Sequence, residues 1–167
     1  VLEEHKQGLI CLSGGYSSEL ATMIRQGSEK EKVREVVQRY KKMFGPDHYY
    51  LELVDRPELA EQQTVNNMLI ELGQEEGVPL VATKDTYYMH SDNREAWRVL
   101  SCVQGGRTLD EVERTAQTEF DASFDGAKGI EERFKDVPEA IENTAKIAER
   151  CNVELTLGEW NFPKFDL

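Results

Sequence analysis

The hexapeptide Val78-Pro79-Leu80-Val81-Ala82-Thr83 constrains this chain more than any other feature. It is nearly all apolar, does not alternate, and is too short for a helix. A strand of this kind belongs in a parallel sheet covered on both faces. The run Gly8-Leu9-Ile10-Cys11-Leu12-Ser13-Gly14-Gly15 has the same character and reads as a buried strand ending in a tight turn. Residues 48–53 alternate and are rich in aromatics, which makes a strand between these two.

The intervening stretches read as helices. Residues 17–26 carry Leu20, Met23 and Ile24 on one face. Ser28-Glu29-Lys30-Glu31 has the order of a capping box, and Val33, Val36, Val37 and Tyr40 recur behind it at helical spacing until Gly45-Pro46. Pro57 suits a first helical turn, with Val65, Met68, Leu69 and Leu72 as the apolar stripe and Gly77 as the stop. Strand, helices, strand, helix, strand is α/β order.

After Asp85 the character changes to helices. Asp92-Asn93-Arg94-Glu95 and Thr108-Leu109-Asp110-Glu111 repeat the capping-box order, the first followed by Ala96, Trp97, Leu100 and Val103. Trp97, at helical spacing, is expected in the core. Residues 115–129, small, polar and Gly-containing, are the expected linker. Asp136-Val137-Pro138-Glu139 opens a helix with Ile141, Thr144, Ala148 and Cys151 in register. Val153, Leu155 and Leu157 alternate as a final strand, and the apolar tail from Trp160 to Phe165 is expected to dock on further protein.

The charge balance narrows the function classes. The 167 residues carry 20 Lys plus Arg against 32 Asp plus Glu, a net charge of −12. A module that grips nucleic acid by itself needs a basic face. No apolar run approaches the roughly 20 residues that span a bilayer. Cys11, Cys102 and Cys151 are far apart, odd in number and without a CxxC pair, which reads as three reduced, mostly buried thiols in a cytoplasmic protein. The first residue is Val1, with no signal-peptide pattern behind it, so the chain is expected to be a piece of a longer protein or a processed form.

Few residues carry chemistry. The Gly14-Gly15 turn follows a strand, but it fits neither phosphate-loop order and reads as a simple turn. Asp85 follows the most apolar strand, where polar residues line the ligand crevice of α/β folds. Position alone leaves two roles open for it: a metal ligand or base, and a turn or cap residue. His5, His48 and His90 lack partners at metal-ligand spacing and read as surface or cap residues. The helical carboxylates Glu29, Glu31, Glu35, Glu71, Glu75 and Glu76 read as solvated faces.

Five segments in register resemble the family of bacterial DNA polymerase III alpha subunits. Gly8 to Gly14 resembles the family strand GLIxLSG. Phe44-Gly45 through Tyr50-Leu51-Glu52-Leu53 resembles FG-x-x-x-YLEL, and Gly77 to Asp85 resembles G-PLVATND. Asp136 to Thr144 with Ile147 to Cys151 resembles D-PEA-x-x-NT followed by IAERC, and Leu157 to Phe165 resembles LG…LPxF.

The resemblance implies an α/β fold: the later part of a PHP-type (β/α) barrel over residues 1–90, then a mostly helical segment over 91–167 leading towards the polymerase palm. Active PHP domains of this family hold a metal cluster with 3′–5′ exonuclease activity. The family's Cys after LSG is Gly15 here, and its Asp-x-His reads Asp85-Thr86-Tyr87. The Asn before that Asp is Lys84, and a His usual in the next helix is Trp97. Gly offers no ligand, and a phenol is a poor substitute for imidazole. The resemblance therefore implies a degenerate site with Asp85 as a vestigial metal ligand, no catalytic residue and no cofactor in this segment, and magnesium only in the parent's polymerase site. It implies a scaffold for the proofreading exonuclease subunit among other replicase subunits, with DNA reached through the parent chain. Two other readings stay open: an active metal-dependent phosphoesterase, drawing ligands from outside this chain or from Tyr87 or His90, and an independent α/β binding module.

Overall fold

The computed structural model describes residues 2–111, 121–155, 157–158 and 162. Three strands, β1 (Cys11–Leu12), β2 (Tyr49–Val54) and β3 (Leu80–Thr83), form a parallel sheet in the order β1-β2-β3. Cys11 lies opposite Tyr49, and Leu51 opposite Leu80. The helices are α1 (Glu19–Arg25), α2 (Lys30–Phe44), α3 (Ala60–Glu76), α4 (Arg94–Gly105), α5 (Ala127–Arg133) and α6 (Pro138–Arg150). The α/β class and the parallel sheet follow the expectation; these three strands do not close a barrel.

One core unites the first three helices, the sheet and α6. Leu20 and Ile24 of α1, Val33 and Val37 of α2, and Val65, Leu69 and Leu72 of α3 pack on Tyr49, Leu51, Leu53, Leu80 and Ala82. Burying each Leu contributes about 1.5–3 kcal/mol. Gly73 lets α3 approach the sheet, since a Cβ there would lie 2.8 Å from Leu80 Cδ2 and 3.0 Å from Val78 O. Helix α6 also packs on β3, so the later residues share the core of the earlier ones through Phe134 and Ala140.

Tyr49 places its ring in the core, stacked on Tyr40 at 5.7 Å, but its buried hydroxyl has no hydrogen-bond partner among the described residues. Burial pushes this phenol far above its ordinary value. A buried unpaired hydroxyl costs about 1–3 kcal/mol. Tyr49→Phe keeps the ring and removes that cost, so a rise in stability of about 1 kcal/mol is expected in urea denaturation.

Glu19 accepts from Arg39 Nη2 at 2.7 Å and from Tyr40 Oη at 3.0 Å. The Arg39 hydrogen bond, against a smaller opposing effect of burial, holds its carboxyl below the ordinary 4.5. A lowered carboxyl adds stability that is complete above the ordinary value and disappears as pH falls through the lowered one. Denaturation midpoints should therefore fall below pH 4.5, and less steeply in Glu19→Gln. Equal slopes for the two proteins would refute this role of Glu19.

Several expectations are corrected. The box at Ser28 does not form, because α2 begins at Lys30 with Glu29 as its cap and no side-chain capping bond. Pro57 lies ahead of α3 rather than in its first turn, in a turn closed by Leu59 N–H on Arg56 O. The box at Asp92 is displaced: Asn93 Oδ1 accepts from His90 N–H instead. The box at Thr108 forms reciprocally, with Glu111 Oε2 accepting from Thr108 N–H at 2.8 Å and Thr108 Oγ1 from Glu111 N–H at 3.3 Å.

Trp97 is half-buried outside the core, stacked on Tyr87, and Leu100 and Val103 of α4 are exposed, since no described element packs on that face. Of the expected linker, 115–120 lie outside the described residues. Residues 121–129 are not a linker: Ala122 and Ser123 are buried, Ser123 bridges to Tyr88, and α5 begins at Ala127. Val153, Leu155 and Leu157 are exposed and lie in no strand among the described residues. Most of the apolar tail lies outside the described residues. All three thiols are free, but only Cys102 is buried; Cys11 is half-buried and Cys151 exposed.

Candidate functional site

Parallel strands bring their following loops to one edge of the sheet, where α/β proteins place ligands. Here that edge receives Gly14-Gly15 after β1, Asp55-Arg56 after β2 and Lys84-Asp85 after β3. Gly14 turns the chain with φ +87°, and a Cβ on it would meet Ser18 Cβ at 2.9 Å.

The charged groups at this edge are paired with one another. Arg56 Nη1 donates to Asp85 Oδ2 at 3.0 Å, and Arg56 Nε to Glu58 Oε1 at 2.5 Å. Burial opposes the Arg56 charge, but the bonds to Glu58 and Asp85 outweigh it and hold the guanidinium above its ordinary value. Lys84, 8% exposed, donates to Asp125 Oδ2 at 2.7 Å and to Ser123 O at 2.8 Å. Arg133 joins Asp55 to Asp125, lying 3.0 Å from the latter. Its hydrogen bond to Asp55 raises the Arg133 value, burial opposing. Three cations and four carboxylates thus satisfy one another.

Sequence reasoning singled out Asp85, Lys84, Gly15 and Tyr87. Asp85 and Lys84 sit at the strand ends as their positions suggest, and each is engaged by a neighbour. A Cβ on Gly15 would meet only Val54 Cγ2, at an ordinary 3.5 Å, so sterics do not exclude a side chain there. Tyr87, 56% exposed, stacks on Trp97 with centroids 5.2 Å apart and planes 15° apart. His5 and His90 are exposed, while His48 is half-buried just before β2 and its carbonyl accepts from Cys11 N–H. Among the described residues no three His, Cys, Asp or Glu side chains group as a metal site. The donors at this edge among the described residues do not by themselves make up a metal cluster.

Asp55, Arg56, Asp125 and Arg133 were missed. The positional argument that picked Asp85 applies equally to Asp55 and Arg56, which follow β2 directly. Asp125 carried no signal, because it arrives from the stretch read as a linker, and Arg133 lies just beyond that stretch at the end of α5. Beside the cluster, α3 and the α5–α6 turn enclose a cleft of about 450 Å³. Its floor is Leu53, Ile70 and Phe134, and Gln63 and Asn67 line it. Asn66 reaches from α3 to the end of β2: its Nδ2 donates to Val54 O at 3.0 Å, and its Oδ1 accepts from Val54 N–H at 3.3 Å and Gln62 Nε2 at 2.9 Å.

Residues 1–56 match the PHP domain. The chain is 35% identical over 98% of its length to DNA polymerase III subunit alpha of Pasteurella multocida (strain Pm70). It is 37% identical over 95% to the subunit of Neisseria meningitidis (strain Z2491), and 34% identical over 98% to that of Escherichia coli (strain K12). It spans 14% of the length of each of these relatives. No helix among the described residues is long and apolar enough to cross a membrane.

Proposed function

We propose, from the homology of this chain to one stretch of the DNA polymerase III alpha subunit, that it serves as a non-catalytic PHP region of a replicative polymerase. In this reading residues 1–90 are the later part of a PHP-type barrel completed by other strands, and 91–167 lead towards the palm. Template-directed nucleotidyl transfer with magnesium belongs to the rest of the parent, which also reaches the DNA. This segment acts in the cytoplasm as a platform for the proofreading exonuclease subunit and other replicase subunits.

The observation that carries the reading is the Arg56–Asp85 pair. The one side chain retained from the family's ligand motifs in this chain is held by a guanidinium, with Gly15 and Tyr87 at the other ligand positions. A positive group against that carboxylate opposes a cation electrostatically. Asp85 is then a vestigial ligand.

Two measurements on the intact alpha subunit test this. Metal analysis should find no tightly bound ions in its PHP region; two or three per chain would restore the phosphoesterase reading. The cognate exonuclease should be retained in a pull-down, and substitutions on the PHP surface should weaken it. Absence of binding would end the platform reading.

A further inference from the structure

The cleft between α3 and the α5–α6 turn has spare acceptors and an apolar floor. Gln62, 1% exposed, lines it; its Nε2 is spent on Asn66 Oδ1, and its Oε1 has no hydrogen-bond partner among the described residues. Buried side-chain acceptors are rarely left unpaired. From the α5–α6 turn the cleft receives Asp136, exposed and without an ion pair among the described residues. Arg56 and Arg133 also line the cleft, but Glu58, Asp85, Asp55 and Asp125 hold them. With Lys84 on Asp125, that cluster already has more carboxylates than cations, and Asp136 adds to the excess. The floor offers Ile70 and Phe134. A buried amide oxygen, a free carboxylate and an apolar floor call for a cation with several donors on an apolar stem.

We propose that this cleft receives one arginine side chain of a protein partner. A guanidinium fans five N–H donors in a plane, so it can serve an amide oxygen and a carboxylate together, whereas an ammonium is one compact head. Its methylene stem suits the apolar floor. The rim points to a protein segment as the source. Gln63 Nε2 donates to Asn67 Oδ1 at 2.8 Å, which leaves Asn67 Nδ2 as a donor and Gln63 Oε1 as an acceptor. One spare donor beside one spare acceptor complements the C=O and N–H of a peptide backbone. A cleft of about 450 Å³ has room for a side chain and the backbone that carries it. The inference uses the cleft alone and does not rest on the polymerase reading.

The test uses the full polypeptide and isothermal titration calorimetry. Acetyl-Gly-Arg-Gly-amide should bind about tenfold tighter than the same peptide with citrulline, which keeps the shape and loses the charge. Asp136→Asn, at an exposed position, should weaken the arginine peptide about tenfold and leave the citrulline peptide unchanged. n-Butylguanidine, which has the head and stem but no peptide groups, should bind more weakly than the arginine peptide. Asn67→Ala, also at an exposed position, should weaken the arginine peptide and not n-butylguanidine. The proposal is overturned by an absence of binding, as when another part of the polypeptide fills the cleft. Equal affinity for the arginine and citrulline peptides, unchanged binding in Asp136→Asn, or n-butylguanidine matching the arginine peptide overturns it as well.

Discussion

Asn66→Ala should lower stability by about 3 kcal/mol, because it strips partners from three groups at once. Strand β1 has only two residues, so beyond Leu12 no strand serves the side of the β2 end that faces away from β3. The Asn66 amide stands in, pairing both the N–H and the C=O of Val54, which is 3% exposed, and taking Gln62 Nε2 as well. Each buried backbone group left unpaired costs about 1–3 kcal/mol. Asn66→Asp keeps the acceptor but loses the donor to Val54 O, so it should be destabilising but retain the Val54 N–H bond. Urea denaturation of the intact protein checks both; a loss below about 1 kcal/mol in Asn66→Ala would mean that other groups pair Val54. The effect reaches the site, because Asp55 and Arg56 are the next residues along the chain.

Arg133→Ala should cost about 2 kcal/mol. Removing one partner from a fully buried pair costs about 3–5 kcal/mol. Asp55 is 8% exposed but Arg133 is 40% exposed, so solvent screens part of the loss. Asp125 retains Lys84, which leaves Asp55 as the stranded charge. Removing that charge as well should recover stability, so Asp55→Asn/Arg133→Ala is expected to be more stable than Arg133→Ala alone. A double variant no better than the single would show that Arg133 acts through packing and not through its charge.

These two positions mark where reading the chain stopped short. Asn66 sits one residue after Val65 and outside the apolar stripe of α3, so local pattern presents it as a surface residue. Its role depends on β1 ending early, which involves residues more than fifty positions away. Arg133 is one of several charged residues on α5, and only its arrival beside Asp55 makes it part of the cluster. Asp85 was legible because strand-end position is a local property, but its partner Arg56 was not, since pairing across 29 residues is a matter of where two loops meet. The misplaced final strand has the same origin. Alternation at Val153, Leu155 and Leu157 shows only that a strand is permitted, and a strand exists only where an edge receives it.

The chain by itself determined the α/β order, the parallel sheet and the helix stripes that build its core, because apolar periodicity and run length are local and act through burial. It also carried Gly15 and Tyr87, on which the proposed degenerate site rests. Tertiary structure alone decided that the strand-end carboxylates are neutralised by Arg56, Lys84 and Arg133, and that Asn66 completes β2. Those are pairings of polar groups across distant segments, and their energies depend on distance and burial that no local pattern specifies.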